Sequence, residues 1–233
     1  MRIALLADIH GNAIALERCL AKVKTMAVDA THLLGDLVGY IPGEQECLEL
    51  LQGEDPVGQR GNHEEMLLVT TPEVEARNDV YQLDAVRARM CPDAMDVLAS
   101  WPIRRELTFP GRRVLLVHGS PDDPLYGYVY PDSDLSAFGG LAYDAVLMAH
   151  THRPFVTRVG DTLVANVGSV GLPRDVGALS SFAVYDAETN DVEIFRVMLD
   201  VPAVLARWGR GMHDSTRACL HRGGVRFVGQ LIG

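Results

Sequence analysis

An α/β domain with mixed strand directions is the fold class this sequence predicts, on three observations. Short apolar runs of four or five residues alternate with stretches of helical periodicity. A later stretch carries strand-length runs separated by turn signals, as antiparallel hairpins do. The chain has 233 residues, 48% hydrophobic and 22% charged, an ordinary globular balance with enough length for a substantial core.

Residues 3–7 form the first apolar run, too short for a free-standing helix and therefore a buried strand. Residues 13–24 follow as a helix with Leu16, Cys19, Leu20 and Val23 on one face. Residues 31–34 give the second strand, and a helix over 44–51 starts after Pro42-Gly43. Helices are expected over 64–69 and 80–90, then strands over 114–117 and 145–149. Runs 155–159 and 162–167 flank Gly160-Asp161, and 182–185 and 192–197 flank Thr189-Asn190-Asp191, so both pairs read as hairpins. Helices over 203–208 and 215–221 close the chain. With no repeat or Gly/Ser linker, a single domain over 1–233 is expected, ending in a helical segment at about 201–233.

Asp plus Glu number 31 against 21 Lys plus Arg, for a net charge of −10. A surface of that sign repels polyanions, so neither long nucleic acid nor an anionic membrane is an expected partner. A small anionic substrate requires something locally positive to hold it. Asp8 interrupts the N-terminal apolar run too early for a signal core, and no run approaches the ~18 apolar residues of a membrane span. A cytoplasmic protein is expected, with Cys19, Cys47, Cys91 and Cys219 as reduced core thiols. A homo-oligomer is compatible with these features.

Five short segments carry the chemistry: Asp8-Ile9-His10, Gly35-Asp36, Gly61-Asn62-His63-Glu64, His118-Gly119 and His150-Thr151-His152. Four of them directly follow a predicted strand, and in open α/β sheets ligands bind beyond the strands' carboxyl ends. Asp8, His10, Asp36, His118, His150 and His152 can therefore converge. If the chain stays extended there, i and i+2 side chains share a side, pairing Asp8 with His10 and His150 with His152. Six to seven N and O donors without a thiolate exceed the needs of one tetrahedral zinc, and suit two ions sharing a carboxylate. Two such ions lower the pKa of a bound water and clamp an in-line displacement at phosphorus. They would also supply the positive charge that a chain of net −10 lacks.

D-x-H, G-D, G-N-H-E, H-G and H-x-H in this order resemble the calcineurin-like metallophosphoesterase superfamily, and the resemblance runs from Asp8 to about Arg174. Residues 35–40, 117–121 and 166–174 resemble its small bacterial and archaeal phosphodiesterase branch. The resemblance implies a four-layer α/β/β/α sandwich with two mixed sheets. It implies one metal on Asp8, His10, Asp36 and His152 and a second on Asp36, Asn62, His118 and His150. Manganese is the ion expected first, with iron, zinc, nickel and cobalt as alternatives. His63 is the implied acid, assisting a leaving oxygen displaced by a metal-bridging hydroxide.

The family's protein phosphatases carry G-D-x-x-D-R-G, but Gly39 and Tyr40 stand at the second Asp and the Arg. That argues against a phosphoprotein substrate and leaves the residue that orients His63 open. Ala149 replaces the usual glycine of G-H-T-H, and Glu64 replaces a more usual Asp. Tyr40, Tyr126 and Arg174 are candidate substrate contacts, against plainer readings of strand packing for the tyrosines and a surface arginine. His32 reads as a core or sheet-face residue, and His213 and His221 as a solvated helix face. No nucleophile elbow, Walker A or dinucleotide fingerprint is present. The expected function is a metal-dependent phosphoesterase acting on a small phosphate ester, most readily a diester. The alternatives are a phosphomonoesterase, a dinucleoside-polyphosphate hydrolase, or a non-catalytic scaffold like the retromer subunit of the same fold.

Overall fold

The computed structural model describes residues 1–54, 56–224 and 227–233. Its strands are β1 (Arg2–Leu6), β2 (Ala30–Leu33), β3 (Val57–Gly58), β4 (Arg104–Phe109), β5 (Arg112–Val117) and β6 (Ala145–Met148). After these come β7 (Phe155–Val159), β8 (Thr162–Asn166), β9 (Leu179–Asp186), β10 (Asp191–Met198) and β11 (Gln230–Ile232). The helices are α1 (Ala13–Val23), α2 (Glu44–Gln52), α3 (Asn62–Leu68), α4 (Pro72–Glu75) and α5 (Asn78–Tyr81). α6 (Leu83–Arg89), α7 (Pro92–Ser100), α8 (Val201–Trp208) and α9 (Asp214–Leu220) complete them.

Two mixed sheets form, ordered β11-β10-β9-β1-β2-β3 and β4-β5-β6-β8-β7. β1 runs parallel to β2 and antiparallel to β9, and β5 runs parallel to β6 and antiparallel to β4. Alternation along each central strand divides the core. Ile3, Leu5, Val114, Leu116, Leu147, Leu163 and Tyr185 meet between the sheets. Ala4 and Leu6 face the opposite way, against Leu16, Leu20, Leu51 and Val204 of the helical layer. On the outer face of the second sheet, Leu115, Val117, Val146 and Val164 lie under Val129 and Phe138, the latter in a 3₁₀ turn (Ser136–Gly140). The expected sandwich forms, with that turn as its thinner fourth layer.

The structure departs from expectation where local signals are weak. β3 has only two residues and gives no periodicity to read. β4 is an edge strand with the alternating exposure of Arg-Arg-Glu-Leu-Thr-Phe, and charge hides its period. The helix expected over 80–90 breaks at Gln82, which adopts φ 61° and ends α5 before α6 begins. Beyond α9, β11 adds in parallel to β10, so the segment expected as helical contains a strand; positions 225 and 226 lie outside the described residues. Cys19, Cys47 and Cys219 are buried, but Cys91 is exposed, because its place is the residue before α7 rather than a core face. No described helix is long and apolar enough to cross a membrane.

His32 of β2 is buried, and its Nδ1 has no partner among the described residues. Burial, with a smaller contribution from Arg105, holds its pKa down at about 4. The unfolded chain takes up this proton near 6.5, so stability is complete above that pH and falls as pH drops from 6.5 to 4. Urea unfolding should show roughly 2–3 kcal/mol of acid-dependent loss in wild type that His32→Leu lacks. Identical pH profiles for the two proteins would refute this.

Candidate active site

Five loops at strand carboxyl ends build the site. β1 leads into Asp8 and His10, β2 into Asp36, β3 toward Asn62 and His63, β5 into His118, and β6 into His150 and His152. The first three strands belong to one sheet and the last two to the other, so the site straddles the sandwich. The backbone here is not extended: φ is 52° at Asp8, 49° at His10, 57° at Asp36, 67° at His150 and 58° at His152. Left-handed turns replace the expected i, i+2 alignment, at a cost of about 1 kcal/mol or more per residue that the flanking ladders offset. Asp8 and His10 still end side by side, with Oδ1 3.7 Å from Nε2. His150 and His152 separate instead. His152 joins Asp8 and His10, whereas His150 joins Asp36 and His118.

Each triplet has its donor atoms within 4.8 Å of one another. Nδ1 of His10, His118 and His152 lies 3.1, 2.7 and 2.6 Å from the carbonyls of Val38, Leu34 and Leu172. An Nδ1–H donated to a carbonyl leaves Nε2 as a lone pair turned inward. His10 Nε2 and His152 Nε2 face each other at 3.1 Å, and His118 Nε2 faces His150 Nδ1 at 3.1 Å. For His10 and His152, whose Nδ1 atoms both face carbonyls, two lone pairs are opposed, and they repel unless a cation or proton lies between them. Asp8 Oδ1 is buried without a hydrogen-bond partner, 3.2 Å from His152 Nε2 and 4.0 Å from His118 Nε2. These residues fit a divalent metal.

Asp36 lies between the groups. Its Oδ1 accepts the His63 backbone N–H at 2.8 Å, and its Oδ2 is 3.4 Å from His118 Nε2 and 3.7 Å from His10 Nε2. Asn62 Oδ1 is 3.0 Å from His118 Nε2. Burial keeps His10 and His152 well below the usual histidine range, and it carries His150 down to about 3. These are neutral imidazoles, the form that ligates. Burial opposes charge on His118 too, yet Asp36 and Asp8 outweigh it and push the pKa up to about 9.

Glu64 is the structural residue that its motif position understates. Its buried carboxylate accepts N–H groups from Asp36, Leu37 and Gly61 at 2.8, 2.7 and 2.8 Å, tying the two ligand loops together. A shorter Asp at this position would have one methylene less of reach. His63 is the second residue of α3, with Asp36 and His10 beside it in a third donor triplet. Its Nδ1 is sealed without a partner against Gly39, where an added Cβ would come within 2.3 Å. Gly39, at φ 89°, therefore makes room for His63 instead of orienting it. Tyr40 and Tyr81 pack on the imidazole with ring centroids at 4.8 and 4.9 Å.

The three candidate substrate contacts divide. Tyr40 and Arg174 share one cavity of about 280 Å³, with an Arg174 Nη2 to Tyr40 Oη distance of 3.5 Å. Arg174 is half-buried, so the surface reading fails for it. Tyr126 lines a neighbouring cavity of about 440 Å³ with Met66, Val74 and Leu125. Tyr128, in a loop and not a strand, joins Tyr40 beside the cluster, 4.3 Å from the His150 ring. His213 is no idle surface residue, because its side chain caps α9 through the Ser215 N–H.

Residues 1–190 match the calcineurin-like phosphoesterase superfamily domain. An uncharacterized protein of Methanocaldococcus jannaschii is 28% identical over 85% of this chain and 88% of its own. Phosphodiesterase YfcE of Escherichia coli K12 is 24% identical over 82% of this chain and 89% of its own. A hypothetical protein from Pyrococcus horikoshii OT3 superposes with a TM-score of 0.83 at 22% identity, covering 96% of this chain and 98% of its own. With the match spanning most of the sequence and buried His/Asp clusters at its strand ends, the chain belongs to the calcineurin-like phosphoesterase superfamily and is a metal-dependent phosphoesterase.

Proposed function

We propose that this enzyme is a cytoplasmic phosphodiesterase that uses two divalent ions, manganese first among them, to hydrolyse a small phosphate ester. The observation that carries the reading is the pair of opposed imidazole contacts, each 3.1 Å, flanking Asp36. Asp8, His10, Asp36 and His152 would hold one ion, and Asp36, Asn62, His118 and His150 the other. Bound there, the ions supply Lewis-acid charge for the phosphoryl oxygens and lower the pKa of water. Asp36 and Asp8 fix the donor geometry, while the carbonyls of Val38, Leu34 and Leu172 hold three imidazoles in one tautomer. His63, with Nδ1 sealed, offers its other nitrogen, Nε2, to the departing oxygen.

Diester specificity draws support from Gly39 and Tyr40, which leave no Asp-Arg pair of the phosphoprotein type. The Escherichia coli relative's name points the same way. Manganese-loaded protein should turn over an aryl phosphodiester with at least ~10-fold higher kcat/KM than the matching aryl monoester, a difference of about 1.4 kcal/mol. Preference for the monoester would reassign the substrate class. Turnover of neither, with metal present by elemental analysis, would favour a scaffold.

A further inference from the structure

Tyr40 and Tyr128 touch the donor cluster on one side and wall the 280 Å³ cavity on the other. That cavity also carries Arg77, Arg174 and Arg222. Among the described residues, no carboxylate lies within salt-bridge distance of any of the three. Elsewhere among the described residues, arginines at positions 2, 18, 60, 87, 89, 104, 112, 113, 158, 196, 207 and 217 are paired with carboxylates, and only Arg105, Arg153 and Arg210, which do not line this cavity, are not. Three unneutralised guanidiniums on one cavity of a protein of net charge −10 are a local reversal of sign.

The guanidiniums are tethered by neutral partners. Arg174 reaches the Tyr40 hydroxyl, Arg222 donates to the Arg174 carbonyl at 3.0 Å, and Arg77 lies 3.4 Å from the Tyr81 hydroxyl. Thr216 lines the same cavity and is only 2% exposed, and its Oγ1 has no hydrogen-bond partner among the described residues. A buried hydroxyl left unpaired is costly, and an oxygen-rich ligand would satisfy it. Forked N–H donors beside a hydroxyl match a phosphate.

We propose that this cavity binds a second phosphate on the part of the substrate that is not cleaved, so that the substrate class is a phosphodiester carrying a separate phosphomonoester group. This rests on the phosphodiesterase reading above. It divides the work: the donor cluster takes the singly charged diester, and the arginines take the pendant dianion. The tyrosines lie between them, where the linking moiety must pass.

Thymidine 5′-(p-nitrophenyl phosphate), with and without a 3′-phosphate, separates the two levels in manganese-loaded protein. The 3′-phosphate should raise kcat/KM at least ~10-fold, mainly through KM, as a charge-assisted contact made equally in the ground and transition states requires. The ratio should fall toward one in an Arg77→Gln/Arg222→Gln double variant and in Thr216→Val. Turnover of both compounds with equal kcat/KM in wild type overturns the second-phosphate site and leaves the phosphodiesterase standing. Turnover of neither overturns the phosphodiesterase, and calorimetry then decides the site by itself. Thymidine 3′,5′-bisphosphate should bind at least ~10-fold tighter than thymidine 5′-monophosphate, with the gap lost in the double variant. Equal affinities in wild type overturn the proposal.

Discussion

Asp36→Asn is expected to abolish tight metal binding and to lower phosphodiester turnover by roughly 10³-fold or more, since Lewis-acid charge at phosphorus is worth several kcal/mol and each 1.36 kcal/mol is tenfold in rate. Asp36 is almost fully buried, and a Cβ on Gly61 would lie 2.2 Å from its Oδ1. If the amide nitrogen takes the Oδ1 position, it meets the His63 N–H donor-to-donor. If it takes the Oδ2 position, it removes the charge facing His118 and His10. Elemental analysis with parallel kinetics checks this, and full metal content with wild-type rates would remove Asp36 from the centre of the site.

His63→Ala separates chemistry from ligation. On the proposed role of proton donor, removing His63 should leave metal content unchanged and cost about 10²–10⁴-fold in kcat, the usual range for general acid catalysis. The loss should shrink for esters whose leaving group is already acidic, because a good leaving group needs no proton. His63 also belongs to a donor triplet with His10 and Asp36, so the outcome is decisive. Metal lost together with activity would make His63 a ligand. Burial holds its pKa below the ordinary histidine range, so the ring is neutral at pH 7 before substrate arrives. Negative charge on an incoming ester works in the opposite direction and favours the protonated ring.

Much of this was legible because buried parallel strands write themselves as uninterrupted apolar runs. Residues 3–7 and 145–149 each announced a strand and, immediately after it, the residues that the strand delivers to the site. What stayed illegible depends on geometry that the order of residues does not encode. The alternation rule presumed extended backbone where Asp8, His10, His150 and His152 adopt left-handed turns, and His150 thereby parted from His152. Glu64 looked like a mild variation, but its role is to gather N–H groups from two loops, a distance effect no local pattern reports. Arg77 and Arg222 were unremarkable singly. They matter because no carboxylate among the described residues lies within salt-bridge distance, which only the folded chain reveals.

The straddled site also bears on how the protein matures. Asp8, His10, Asp36 and Asn62 come from one sheet, and His118, His150 and His152 from the other. On the proposed ligand set, an ion held by Asp8 and His152 would rivet the two sheets across their shared edge and would recognise only the docked pair. By mass action, each tenfold excess of free ion over its Kd tightens that docking by about 1.4 kcal/mol. A nascent chain that has made only its first 62 residues holds four of the seven donors and none of those that follow the second sheet's strands. Metal capture by that ligand set would therefore come late in folding and select chains whose second sheet has closed onto the first.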